Sequence, residues 1–360
     1  MTRMRKLVLV LSLATLGRAQ RWQELPSLPE PVTNNAVATM PWKDGYLLFS
    51  MLGLQEPKTY AAITKKAWLF DSARNRWFRM PDVPGAVGRL ASTAQAIHGK
   101  VYLFGGYTVD KNGKEISLAD VDVFTPGKDK AEKGTWSKAA PMPVPVDDSV
   151  SVLYADRYVI LISGWSQTDN VRDVQVFDTK ADKWSASTPI PGTPVFGHAG
   201  GIALTRIVYC GGAYRNPKAE RPKYIASEAC WEGIVKDAAA KAISWKRVAD
   251  YPGDARYRSA AAGTLDFIHF VAGTNNPYNY NGVGYNGVAS QPSEQAFAWN
   301  ACARTWEQRP GIPASSMDHR GLAVNPAGLF LIGGTGAGQR VMSQVWKLRD
   351  APLRCTDARD

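Results

Sequence analysis

Six times along this chain an apolar run ends in glycine and is followed, after a loop and a second apolar run, by a tryptophan and then a proline. The glycine ends are Met51-Leu52-Gly53, Phe104-Gly105-Gly106, Ile162-Ser163-Gly164, Cys210-Gly211-Gly212, Val271-Ala272-Gly273 and Ile332-Gly333-Gly334. The last glycines of successive copies lie 53, 58, 48, 61 and 61 residues apart. A period of this size marks one supersecondary unit copied around an axis or along a solenoid. No composition shift or linker separates the copies, so the 360 residues read as one repeat domain.

Each copy carries four strand signals. In the second, Leu90-Ala91-Ser92-Thr93-Ala94 is small and apolar, His98-Gly99-Lys100 turns the chain, and Val101-Tyr102-Leu103-Phe104 is a buried strand that stops at Gly105-Gly106. Val121-Asp122-Val123-Phe124 then alternates as a third strand, and Trp136 leads through a fourth to Pro141. Turn residues between β-branched and aromatic runs fit short antiparallel strands. Small residues on the first strand suit a crowded centre, and the glycine pair admits close backbone approach. Trp22, Trp77, Trp136, Trp184, Trp245 and Trp306 number the copies. The last copy has Val345-Trp346-Lys347-Leu348 as a third strand but no fourth, while Trp22-Gln23-Glu24-Leu25-Pro26 precedes the first full copy. The expectation is an all-β, six-bladed β-propeller in which an N-terminal strand completes the last blade and so removes two open sheet edges. Glycine after the second strand, an aromatic on the third and Trp on the fourth resemble the kelch repeat, over residues 21 to 349.

Arg3, Arg5 and Lys6, the apolar run Leu7 to Leu16 and then Gly17-Arg18-Ala19 read as a secretory signal cut after Ala19; the run is too short to span a bilayer. Residues 1–19 are therefore assigned to a signal peptide, 20–350 to the propeller and 351–360 to a C-terminal tail. The protein is expected in the periplasm or secreted, with no membrane span. Its formal charge of +11 drops to +7 once Arg3, Arg5, Lys6 and Arg18 leave. The remaining Lys and Arg are scattered, whereas a nucleic-acid protein concentrates them; mild affinity for anionic ligands is the reading that remains. Cys210 and Cys230 fall on successive strands of one copy and are placed for a cross-strand bridge, which would leave Cys302 and Cys355 to pin the tail. Four cysteines nevertheless admit three pairings. No CxxC occurs and the four histidines, His98, His198, His269 and His319, form no i, i+4 pair, so no metal is expected.

In such a ring the loops entering the first strand and leaving the second gather on one face around the axis. Those loops hold Asn34-Asn35, Arg89, Asp147-Asp148, His198, Arg256-Tyr257-Arg258 and Asp318-His319-Arg320 on the entering side. On the leaving side they hold Tyr107, Trp165, Tyr214-Arg215, Asn275-Asn276 and Tyr278. Arg outnumbers acid, which favours a carboxylate ligand, and Tyr257 and Trp165 suit stacking on a sugar ring. Gly-x-Ser-x-Gly and phosphate-loop motifs do not occur, which sets aside esterase and nucleotide chemistry.

Gly99 to Gly106 with the long loop to Asp120-Val121, Arg89 before a first strand, and Leu331 to Gly338 resemble the bacterial N-acetylneuraminate epimerases, or sialic acid mutarotases. That resemblance implies an exported six-bladed kelch propeller that opens and recloses a cyclic hemiketal without a cofactor. One proton must reach the ring oxygen and one must leave the anomeric hydroxyl. Asp148, Asp318, His198, Glu220 and His319 are the acid–base candidates, and Arg89, Arg215, Arg256, Arg258 and Arg320 the carboxylate-binding ones. The family is expected to carry a Glu directly after glycine in its fourth blade; Ala213 stands there in this chain, with Glu220-Arg221 further along the same loop. The alternative is a non-catalytic kelch module that binds a protein partner or a glycan on the same face.

Overall fold

A computed structural model describes residues 21–218 and 221–349. It contains six four-stranded antiparallel sheets, the blades. Blade one is built from Ala36–Trp42, Gly45–Met51, Ala67–Asp71 and Arg76–Arg79, and blade two from Thr93–Ile97, Lys100–Phe104, Val121–Thr125 and Thr135–Lys138. Blade three has Val150–Tyr154, Tyr158–Ile162, Val174–Asp178 and Lys183–Ala186, and blade four Ala199–Ala203, Arg206–Cys210, Cys230–Val235 and Ile243–Val248. Blade five has Ala260–Gly263, Phe267–Val271, Ala296–Asn300 and Thr305–Arg309. Blade six supplies Ala323–Asn325, Gly328–Ile332 and Val345–Leu348, and Trp22–Leu25 pairs with the last of these as its fourth strand, Trp22 opposite Leu348. The N-terminal closure expected from the missing strand is thus what the chain forms.

The first strands face the axis, and their small side chains leave a central channel of about 350 Å³. Apolar residues of the other strands fill the six spaces between blades; Phe49 and Phe124 meet between blades one and two, for example, and Phe104 and Phe177 between two and three.

Two sets of hydrogen bonds repeat around the ring and explain the residues that mark each copy. The glycine N–H that ends each second strand donates to a carbonyl of the next blade's entering loop. The pairs are Gly53 to Arg89, Gly106 to Val146, Gly164 to Val195, Gly212 to Arg256, Gly273 to Ser316 and Gly334 to Val32, at 2.8–3.2 Å. At Gly106 the backbone φ is +90°, and a Cβ would lie 2.2 Å from Ser92 Oγ and 2.5 Å from the Leu90 carbonyl, so only glycine fits. On the outside, each repeat tryptophan donates its indole N–H to the carbonyl that follows the preceding blade. Trp22 reaches Pro310, Trp77 Pro26, Trp136 Pro81, Trp184 Ala140, Trp245 Thr188 and Trp306 Ala249, at 2.7–3.1 Å. The residues repeated in every copy therefore bond to the neighbouring blade, not within their own.

Cys210 and Cys230 stand opposite each other in blade four and form the expected disulfide. Cys355 of the other expected pair lies outside the described residues, as do the signal peptide and Glu220. Among the described residues no helix is long and apolar enough to cross a membrane.

Candidate functional site

Where the entering loops converge, one residue from each blade adopts left-handed backbone: Asn34, Ala91, Asp148, Gly197, Arg258 and Asp318, with φ between 51° and 68°. Their backbones are linked around the axis. Asn34 N–H donates to the Asp318 carbonyl, Asp148 N–H to Ala91, Gly197 N–H to Asp148 and Arg258 N–H to Gly197, while His319 N–H donates to Arg258. The Asn34 side-chain oxygen closes the remaining gap by accepting from Ala91 N–H at 2.7 Å. Gly197 has no alternative residue, since its Cβ would sit 2.2 Å from the Tyr257 ring. This collar caps the upper end of the channel.

Four charged side chains fill the collar. Arg258 donates to Asp148 through Nη2 and Nε, at 2.6 and 3.2 Å, and to Asp318 through Nη1 at 3.0 Å. Arg320 Nη1 donates to the same Asp148. Thr33 and Asn34 side chains donate to Asp318 at 2.8 and 2.9 Å. Burial opposes the charge on Asp148, but Arg258 and Arg320 outweigh it and hold that carboxyl below the usual range. Asp147, one residue away, goes the other way: burial and then the Asp148 charge push it well up, and its side chain accepts a hydrogen bond from Ser117 Oγ. Neighbouring carboxyls with opposite shifts are the arrangement from which acid–base sites are built.

Above the collar and to one side lies a cavity of about 130 Å³. Long connections after the second strands build its walls. Blade two contributes the hairpin Tyr107–Val109 with Glu115–Ser117, blade three Trp165–Ser166 with Asp169–Asn170, and blade four Ala213–Arg215 with Tyr224–Ala226. Blade five sends a long excursion that brings Asn279 and Tyr285. One wall is aromatic: Trp165 meets Phe196 and Tyr224 edge-on at 5.7 and 5.8 Å, and Tyr224 meets Tyr285 at 4.8 Å. The lining also carries Glu115, Asp147 and Asp148, together with Arg258 and exposed Lys223, and Glu115 lies near enough to Tyr224 and Tyr285 to act on both hydroxyls. Burial raises the Glu115 carboxyl, and its Oε1 has no hydrogen-bond partner. The Tyr107 and Tyr224 hydroxyls are likewise unpaired. The channel below is larger but is lined mainly by Ala, Gly, Ser and Val, so the chemistry is concentrated in the smaller cavity.

Of the residues singled out from sequence, Tyr107, Asp147, Asp148, Arg258 and Trp165 line this cavity, and Tyr257 is buried behind it with its hydroxyl donated to the Tyr278 carbonyl. Arg320 joins the collar beneath. His198 and His319 face the channel side. His198 Nε2 contacts the Ile162 carbonyl and His319 Nε2 the Ser316 hydroxyl, and burial, followed by Arg320, lowers the second to about 3. Burial lowers His198 to about 4. Three arginines stand apart from the cavity: Arg89 is buried against Asp122, Arg256 binds the Gln295 side chain, and exposed Arg215 lies 3.7 Å from Asp169. Arg258 and Arg320 are internally neutralised, so the cluster of arginines does not assemble as an open carboxylate clamp. Ala213 is fully buried, its backbone paired with Phe196. Glu115, Lys223, Asn279 and Tyr285 escaped the sequence reading because they sit on insertions that vary from copy to copy; the length of the loop from Gly106 to Asp120 was the available signal.

A family profile described as the Kelch motif matches residues 88–143. Beta-scruin of Limulus polyphemus is 26% identical over 166 residues, covering 45% of this chain and 17% of the relative. Kelch-like protein 35 of Mus musculus is 25% identical over 173 residues, 48% of this chain and 26% of the relative. The chain thus matches only a minor part of either protein's length. Kelch domain-containing protein 3 of Rattus norvegicus is 25% identical over 283 residues, 73% of this chain and 68% of the relative. The solved structure titled "Structure of YjhT" superposes with a TM-score of 0.70 at 17% identity, covering 91% of this chain and 99% of that one, which speaks to the fold. With the glycine and tryptophan hydrogen bonds repeated in every blade, the chain is an all-β, six-bladed propeller built from kelch repeats.

Proposed function

We propose that the protein binds one ring of a sugar acid in the cavity above the collar and speeds the interconversion of its anomers. The observation that carries this reading is that aromatic rings, Trp165, Tyr224 and Tyr285, and carboxyls, Glu115 and Asp147, line one and the same cavity. An aromatic face receives the C–H face of a pyranose, while unpaired Tyr107 and Tyr224 hydroxyls offer hydrogen bonds to its hydroxyls. Lys223 at the mouth supplies the cation for a carboxylate substituent. Anomer exchange asks only for a proton at the ring oxygen and the loss of one from the anomeric hydroxyl, and cavity carboxyls whose pKa burial raises are groups suited to that work. The Cys210–Cys230 disulfide supports an oxidising compartment and hence the export expected from residues 1–19.

The test is NMR exchange between the α- and β-anomers of N-acetylneuraminate, with and without the purified protein. Faster exchange is expected, together with an affinity loss of about tenfold in Lys223→Ala, the size of one charge-assisted hydrogen bond. Unchanged exchange with no ligand-induced shifts would remove the reading. The second reading is a module for a protein partner, favoured by a groove of about 580 Å³ between blades one and two where Tyr60 and Val87 are 46% and 50% exposed.

A further inference from the structure

We propose that Glu115 is the proton-transfer group of this cavity, one carboxyl acting as acid through one oxygen and as base through the other. The assignment rests on the carbohydrate reading above and names the residue that would do its chemistry.

Glu115 opens the second strand of the blade-two hairpin, where Val109 pairs with it and fixes its side chain in the cavity wall. Asn279 reaches it from the blade-five excursion with a side-chain hydrogen bond, and Oε1 remains buried and unpaired. The other acid–base candidates are committed elsewhere. Both Asp148 oxygens accept from Arg258. Asp147 is 2% exposed and is held by Ser117. His198 and His319 are buried with Nε2 already engaged. Glu115 alone among these carboxyls lines the cavity half-buried and keeps an oxygen, the buried Oε1, that no protein group occupies.

A neutral carboxyl can move both protons of ring opening. Its O–H proton passes to the ring oxygen as the bond from that oxygen to the anomeric carbon breaks, the electron pair staying on oxygen. The anomeric O–H pair becomes the new carbonyl bond, and its proton passes to the second Glu115 oxygen. Glu115 ends neutral, with its two oxygens exchanged in role. Rotation about the bond to the carbonyl carbon and the reverse transfers close the ring on the other face, so no co-reactant enters.

The groups facing Glu115 are Asp147 and Asp148, Arg258, Lys223, Tyr107, Tyr224 and Tyr285. Burial raises its pKa and Asn279 lowers it. The active neutral form should therefore be lost as pH rises through a value above 4.5, and Asn279→Ala should move that descending limb to higher pH.

The experiment compares wild type, Glu115→Gln and Asn279→Ala by N-acetylneuraminate anomer exchange across pH, with ligand shifts and thermal melts as controls. The expected result is exchange lowered at least about 10²-fold in Glu115→Gln at unchanged binding and melting, and an upward shift of the limb in Asn279→Ala. Wild-type exchange in a folded Glu115→Gln protein overturns the assignment while leaving the carbohydrate reading intact. A wild type that leaves exchange at its solvent rate overturns both.

Discussion

Arg258 of blade five donates two hydrogen bonds, of 2.6 and 3.2 Å, to Asp148 of blade three, across the blade that separates them. Both side chains are no more than 2% exposed. With Asp318 and Arg320 they form a cluster of two cations and two carboxylates at the point where six entering loops meet. A buried set of this kind is held by mutual compensation, and each member is costly to remove alone.

Arg258→Ala should therefore behave as a fold-stability variant first. It strands Asp148 and Asp318 in the collar, and a loss of about 3–5 kcal/mol is expected. Urea denaturation followed by tryptophan fluorescence reads this directly. A midpoint equal to that of the wild type would mean that water reaches the collar and the cluster is not dry.

His198 gives the protein an acid-sensitive core. Its folded value of about 4 lies below the ordinary 6.5, so between these the unfolded chain takes up a proton that the folded chain refuses. Stability is then lost as pH falls from 6.5 toward 4, by about 3 kcal/mol for this site. His198→Gln can still donate to the Ile162 carbonyl but does not titrate, so its urea midpoint should fall less steeply over that range. Parallel slopes for the two proteins would show that His198 carries no such linkage.

Asp147 has the opposite sign. Its folded pKa is raised, so the stability it contributes is present below 3.8 and is lost as pH climbs through that value toward the folded one. Asp147→Asn keeps the acceptor for Ser117 without the penalty of ionisation. It should denature at higher urea than wild type at pH 7, with the gain vanishing below pH 3.8. A variant less stable at pH 7 would mean that the carboxylate is the form the fold wants.

Trp136→Phe removes an indole N–H from the Pro81 carbonyl and leaves most of the ring in place. About 1 kcal/mol is the expected cost, and Trp184→Phe and Trp306→Phe should match it because their bonds to Ala140 and Ala249 are equivalent. Thermal melts of the three variants would sit together. One unaffected variant would break the equivalence of the outer bonds.

Fold and site differed in how far the chain alone revealed them. Gly106 and Trp136 recur in every copy because each makes the same bond to the neighbouring blade, so spacing exposed them. The absent fourth strand after Leu348 exposed the closure by Trp22. Partner choice in the collar left no such trace: Arg258 and Asp148 are 110 residues apart, and nothing local shows which carboxylate an arginine will meet. Arg89 illustrates the point, since it occupies an entering loop yet turns to Asp122 of its own blade. Glu115 and Tyr285 lie on connections whose length and residues change from copy to copy, so the period that revealed the ring was silent about them.

The pairing of Trp22 with Leu348 also sets an order of events. The strand synthesised first is the one used last. Blade six stays incomplete, and blades five and one lack a full neighbour, until nearly the whole chain has emerged. Local hairpins can form early, but the bond that makes the circle is about as non-local as the sequence allows, and such contacts slow folding. Until its first strand meets its last, the protein is an open arc with two free sheet edges, and only that one pairing turns the arc into a closed toroid.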